Sequence, residues 1–336
     1  MHCAKDGMKK EIIILTHNGG DIANQLWNHI SIAAYARERG YACENHSFFE
    51  HADEFPLLYP NDRLVRLVFF RTFSLMRRLS LGPITQHRIL VRVWRRAYAL
   101  YALYMKGRFS ILDAGNDFNA RGVYLLPPSA PATRALVRFE RDSTTTLLCT
   151  GWLFRNPEGI RRHHTFLIEL LKPQEDTSLR VASRLQPLRA RFSHLVGVHI
   201  RQADYTYFKN GRFYLSPERM RTIMGEYLSR QKRASEDTCF ILCSDGPLSE
   251  DDFTGLHTVL SLGDAVGDLY VLAGCDVIIG SDSTFGDLAA YLGDIPHIIA
   301  KNCAMDWAYY ADVHAWFPNR YSYATSLNAD RENIIS

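Results

Sequence analysis

The segment GVHIRQADY, residues 197–205, places His199, Arg201 and Asp204 where an apolar run gives way to polar residues. Arginine is permanently charged and presents a planar fork of donors, the group best matched to a pyrophosphate. Asp204 brings a carboxylate that suits either proton transfer or the orientation of Arg201. His199 fits two readings, a neighbour of the same ligand or a histidine satisfied in the core. A second segment, SDSTF (281–285), adds the hydroxyls of Ser283 and Thr284 and free backbone N–H groups at the start of a predicted helix, a second device for holding anions. The two loops together describe a pocket for a nucleoside diphosphate.

Loops 84 positions or so apart in sequence need a scaffold that brings strand ends together. From about residue 175 strands and helices alternate: helix 176–191, strand 195–200, helix 217–232, strands 238–243 and 256–262, helix 267–274, strand 276–280, helix 285–292 and strand 296–300. That alternation predicts a parallel, doubly wound sheet, whose ligands lie beyond the carboxyl ends of the strands. Three loops then share one end: His199–Tyr205, Ser244–Pro247 and Ser281–Phe285.

The N-terminal half starts in the same way. EIIILT (11–16) reads as a buried strand, HNGGD as a glycine loop, and Ile22, Leu26, Ile30 and Ala33 follow helical spacing up to Gly40. Residues 61–112 read as two amphipathic helices broken at Gly82-Pro83. Between 127 and 160 a PPSAP turn precedes two strand-like segments, ATRALVRFE and STTTLLCTGW, then a loop RNPEG and a helix from about Ile160 to Leu171. The expected organisation is an N-terminal domain, 1–175, with a helical insert at 61–112, and a C-terminal domain, 176–336.

With 336 residues, 47% hydrophobic and 22% charged, the chain has the composition of a globular protein with two cores. The formal net charge of +3 is unevenly spread: Arg63 to Leu112 holds eleven Lys or Arg and no Asp or Glu, which leaves −8 for the remainder. Seven cysteines without a C-x-x-C pair argue against a zinc site and against a disulfide framework, as expected for a reducing cytoplasm. No apolar stretch reaches the roughly 18 residues of a spanning helix, and the four-residue run before Thr16 is too short for a signal-peptide core.

HIRQADY resembles the H-x-R-R-x-D segment of the fucosyltransferase superfamily, and in particular the bacterial α-1,2-fucosyltransferases of glycosyltransferase family 11. DLYVLAGCDVIIGSDSTF (268–285) is similar to that family's D-L-x-x-[ML]-x-x-C-x-x-x-I-x-x-[NS]-S-T-F, and GGDIANQLW (19–27) to its G-G-x-x-N-Q-[ML]-[FW]. The resemblance implies an α/β GT-B fold, two Rossmann-like domains facing a cleft, that is inverting and metal-independent; no D-x-D motif is present. It implies GDP-fucose as donor, Arg201 on the departing diphosphate and His199 beside the nucleotide. Asp268 would pair with the guanine edge, and Ser283, Thr284 and Phe285 would close on phosphate and ribose. Gly20 would lie in the N-terminal anion loop, and Asn24 would touch the sugar or the acceptor. For the base that takes the acceptor's proton, Asp204 and Asp21 stay open, as does an assignment of Asp204 to pairing with Arg201. The chain departs from the pattern at Gln202, which replaces the second arginine, and in STFGDL, which replaces S-T-F-S-W-W.

The basic segment 63–108 admits a solvated helical face or a contact with an anionic membrane; its aromatics sit at helical spacing, and no nucleic-acid-binding fold accompanies them. The expected partners are a nucleotide sugar and an oligosaccharide acceptor, with a lipid-diphosphate-linked one at the inner membrane face among the options. A different GDP-sugar as donor, a protein that binds nucleotide or glycan without turnover, and a dehydrogenase are the competing classes, the last weakened because HNGGDIANQ lacks dinucleotide spacing.

Overall fold

The structure is a computed structural model that describes residues 10–16, 21–79, 84–115, 124–128, 131–141, 145–202, 204–211, 213–232 and 234–310. The chain divides into two compact units, residues 1–174 and 175–336.

The first unit is built on a parallel sheet of four strands in the order β2-β1-β5-β3, comprising β1 (Glu11–Thr16), β2 (Ala42–Asn45), β3 (Ser110–Gly115) and β5 (Thr146–Gly151). Side chains alternate between its faces. Ile12, Ile14, Leu147 and Cys149 pack with Ile32, Tyr35, Leu136 and Phe139 on one side, while Ile13, Leu15 and Leu148 meet Phe49, Phe69, Phe70, Phe73 and Tyr98 on the other. A strand buried on both faces is apolar throughout, which is why EIIILT shows no alternation. β4 (Tyr124–Leu125) and β6 (Phe154–Arg155) form a separate parallel pair. The helix Ile22–Glu38 follows β1 and ends where Gly40, at φ +67°, reverses the chain, with its N–H on the Arg37 carbonyl and the Tyr41 N–H on that of Ala36.

The expected helical insert is present as Arg63–Val65, a π-helical turn Arg66–Arg71, Thr72–Leu79 and Ile84–Lys106. Its last residues depart from expectation: Ser110 to Leu112 belong to β3, because Gly107 ends the helix and the chain then enters the sheet beside β5. ATRALVRFE is likewise a helix, Arg134–Arg141, and not a strand. Leu136 and Phe139, three apart, are the positions it buries, and Thr133 Oγ1 accepts the Leu136 N–H at its start. RNPEG opens a helix too: Asn156 caps Pro157–Arg162 by accepting the Gly159 N–H, with Pro157 at the first helical position.

The second unit carries a five-stranded, all-parallel sheet in the order β11-β10-β7-β8-β9, made of β7 (His194–Ile200), β8 (Thr238–Ser244), β9 (Thr258–Leu260), β10 (Val277–Gly280) and β11 (His297–Ile299). Val196, Val198, Phe240, Leu242 and Ile279 pack against Met220, Ile223 and Met224 of the helix Pro217–Gln231. Leu195, Cys239 and Ile241 on the other face meet Val271, with Val181 and Leu185 of the helix Glu175–Arg191 packed around them. The helix Pro217–Gln231 begins as Ser216-Pro217-Glu218 predicts: Ser216 Oγ accepts the Arg219 N–H at 3.2 Å. The sheet is therefore covered on both sides, and its free end is the edge formed by the carboxyl ends of its strands.

Candidate functional site

β7, β8 and β10 lie side by side in register, with His199 opposite Gly280 on one flank and Cys243 on the other. Parallel pairing thus brings the chain after Ile200, after Ser244 and after Gly280 to one place. Arg201 is the first residue beyond β7, and its backbone N–H donates to Ser281 Oγ at 3.1 Å, which ties the β7 loop to the β10 loop. The guanidinium is half-buried: Nε stands 3.5 Å from Asp245 Oδ2, and Cζ sits over the Tyr205 ring at 5.3 Å. Asp245 Oδ1 accepts the Gln202 N–H at 2.6 Å, so this one carboxylate braces both the arginine and its backbone. Tyr205 in turn donates its hydroxyl to the Asp282 carbonyl at 2.8 Å.

His199 is buried at the end of β7. Its ring stacks on Phe285, with centroids 5.0 Å apart and planes at 30°, and Nδ1 lies 3.5 Å from Ser283 Oγ. Burial, with His297 and the Arg201 charge as neighbours, pulls its pKa from 6.5 to about 3. The imidazole is therefore neutral, and Arg201 is the cation of the pair. Ser283 caps the helix Thr284–Gly293 by accepting the Phe285 N–H at 3.2 Å, so Ser283, Thr284 and Phe285 together form the helix's N-terminal turn.

Behind this turn sits a buried pair that the residue pattern does not announce. His297 Nδ1 lies 2.9 Å from Asp287 Oδ1, both side chains out of solvent, and the ring occupies space that a Cβ on Gly286 would invade. Nor does that pattern announce Asp245 and Tyr205, single residues in polar loops whose partners come from other strands.

Asp268 lies in the first turn of the helix Ala265–Ala273, beyond β9. Its carboxylate is buried, and Oδ1 accepts the N–H groups of Leu262 at 2.9 Å and Gly263 at 3.0 Å. Burial raises its pKa against the opposing pull of those amides. In this structure it orders the loop that follows β9. Asp264 caps the same helix through the Gly267 N–H and is held by Arg180 at 2.7 Å.

Asp204 starts a short 3-10 turn, Asp204–Thr206, and its side chain lies outside the described residues. Gly20 also lies outside them. Asn24 belongs to the first unit, in the opening turn of the helix Ile22–Glu38, and the structure does not bring it together with the group around Arg201 within one unit. Its Oδ1, like Thr16 Oγ1 at the end of β1, is buried without a hydrogen-bond partner among the described residues, which is unusual because buried polar atoms are almost always paired. Among the described residues no three His, Cys, Asp or Glu side chains are grouped to hold a metal ion.

No family model matches the chain, and no curated protein sequence does. Solved structures do. POFUT1 in complex with GDP superposes with a TM-score of 0.50 at 11% identity over 88% of this chain and 99% of that one, and the POFUT1 apo form with 0.50 at 10% over 89% and 99%. The fucosyltransferase NodZ from Bradyrhizobium gives 0.49 at 16% over 88% and 97%. At these identities the likeness to POFUT1 is one of fold: the chain has the α/β, GT-B-type fold built from two Rossmann-like units.

Proposed function

We propose that this protein is an inverting glycosyltransferase that moves fucose from GDP-fucose to a glycan hydroxyl without a metal ion. The observation that carries the reading is Arg201, a guanidinium braced by Asp245 beside the N-terminal turn Ser283–Phe285, at the strand end where an α/β sheet holds its ligands. The POFUT1 structures of the same fold hold GDP and GDP-fucose. As the bond from sugar to diphosphate breaks, negative charge grows on the β-phosphate while the sugar becomes cationic. Arg201 and the N–H groups of the turn stand ready for that charge, in the role a divalent cation plays elsewhere. Neutral His199, stacked on Phe285, would flank the nucleotide as a hydrogen-bonding group, and Ser283 and Thr284 would close on phosphate and ribose. Asp268 would shape the guanine site through the loop it orders.

The sugar and acceptor side is assigned to Asn24, supported by its buried Oδ1, which has no hydrogen-bond partner among the described residues. Asp204 would take the acceptor's proton. The acceptor we favour is an oligosaccharide of a bacterial surface polysaccharide, carried on a lipid diphosphate. Gln202 and Asp287, which replace an arginine and a tryptophan of the resembled pattern, favour a related GDP-sugar as the second choice of donor.

Calorimetric titration with GDP, UDP, ADP and CMP tests the reading. GDP is expected to bind at least tenfold more tightly than the others, and Arg201→Ala to slow release of GDP from the correct donor by about 10²–10³-fold, as for loss of one charge-stabilising donor. EDTA is expected to leave turnover unchanged. Equal affinity for all four nucleotides would overturn the proposal.

A further inference from the structure

The helical segments Arg63–Leu79 and Ile84–Lys106 have a second apolar surface that the core does not use. Their inward face is filled: Phe69, Phe70, Phe73, Tyr98 and Ala102 pack over Ile13, Leu15 and Leu148, and Trp94 Nε1 donates to the Phe69 carbonyl at 3.2 Å, which joins Ile84–Lys106 to the segment before it. The outward side should then be polar. It is not. Leu64, Leu67, Leu75, Val93, Leu100 and Leu103 are exposed, from 52% for Leu67 to 70% for Leu100. On Ile84–Lys106, Val93, Ala97, Leu100 and Tyr104 succeed one another at spacings of three and four, a stripe of roughly 16 Å on the side opposite Tyr98 and Ala102. Exposed large apolar side chains elsewhere among the described residues are scattered singly.

The charges this segment itself carries are of one sign. Arg63, Arg71, Arg92 and Arg96 are exposed and form no ion pair among the described residues, whereas Arg95 is held by Glu50 of a neighbouring element through contacts of 2.6 and 2.8 Å. No acidic residue lies between Arg63 and Leu112. A second copy laid on this face would set arginines against arginines. The occupant must be apolar within and anionic at its surface.

We infer that the outward faces of residues 63–76 and 91–104 dock on an anionic lipid bilayer, with their leucines in the headgroup–acyl boundary and their arginines on lipid phosphates. No helix among the described residues is long and apolar enough to cross a membrane, so the contact is a peripheral one. The inference does not depend on the sugar-transfer reading, because the surface belongs to the first unit and needs no nucleotide.

The test is co-sedimentation of the full chain, with no donor or acceptor present, with vesicles of phosphatidylcholine alone and of phosphatidylcholine mixed with phosphatidylglycerol. The protein is expected to pellet with the mixed vesicles only, and less so as salt rises. At about fivefold per arginine, Arg92→Gln with Arg96→Gln is expected to lower partitioning roughly thirtyfold. Leu100→Ser with Leu103→Ser is expected to lower it about tenfold at unchanged charge. All four positions are exposed, so thermal unfolding of both variants should match that of the parent chain. Failure to pellet with anionic vesicles, or pelleting that neither pair of substitutions changes, overturns the inference. Self-association that the leucine pair abolishes, with no vesicle binding, would give the face to a second copy instead.

Discussion

Asp268 shows how a residue's type can be legible while its partners are not. An aspartate opening D-L-x-x is marked by the resemblance as a ligand of the base, yet its Oδ1 is taken up by two backbone N–H groups just upstream. Removing it leaves two part-buried N–H donors unpaired, so Asp268→Ala is expected to cost about 2 kcal/mol in chemical denaturation. Asp268→Asn, which keeps an oxygen acceptor, should cost roughly 1 kcal/mol or less. Equal losses for the two substitutions would assign the effect to lost charge and not to the amides. His199, Arg201, Ser283 and Phe285 were readable because they sit where strands end, and a parallel sheet aligns strand ends. Asp245 was not: its role rests on the Gln202 N–H and the Arg201 guanidinium, which reach it only once β7 pairs with β8.

At the scale of elements, two helices of the second unit meet at a glycine. A Cβ on Gly293 would fall 2.1 Å from the Ala273 carbonyl oxygen, so Thr284–Gly293 and Ala265–Ala273 meet where only glycine fits. Gly293→Ala is expected to lower stability by more than about 2 kcal/mol through overpacking. Gly225 provides the contrast: it is exposed within Pro217–Gln231, nothing lies within 4 Å of its Cβ position, and Gly225→Ala should gain about 0.5–1 kcal/mol of stability. Melting temperatures of the two variants, moving in opposite directions, check both. The strands and helices of this unit were legible because Ser216-Pro217, Asp264 and Ser283 each mark a helix start and β-branched runs mark the strands. In the first unit short apolar runs misled. Ala135, Val137 and Phe139 alternate like a strand, yet Leu136 and Phe139 are the two that the helix fully buries, with Ala135 partly buried beside them, and eight residues are too few for periodicity alone to decide.

For the molecule as a whole, each unit holds a buried neutral histidine: His29 beside Asn45, pulled down to about 4 by burial, and His199, at about 3. Both fold without a proton, while the unfolded chain binds one near pH 6.5. Their contribution is complete above that pH and falls as acidity rises toward 4 and 3, by up to about 1.4 kcal/mol per pH unit for each. Urea midpoints at about pH 7.5 and about pH 5 are expected to differ clearly, and His199→Asn to flatten that dependence; a midpoint indifferent to pH would contradict it. Among the described residues neither sheet borrows a strand from the other half, and the boundary between the units falls after Gln174. Synthesis therefore delivers every strand of the first sheet before any of the second. At about 5–20 residues per second, the leading half has several seconds on the ribosome to close its own core while the trailing half is still being translated.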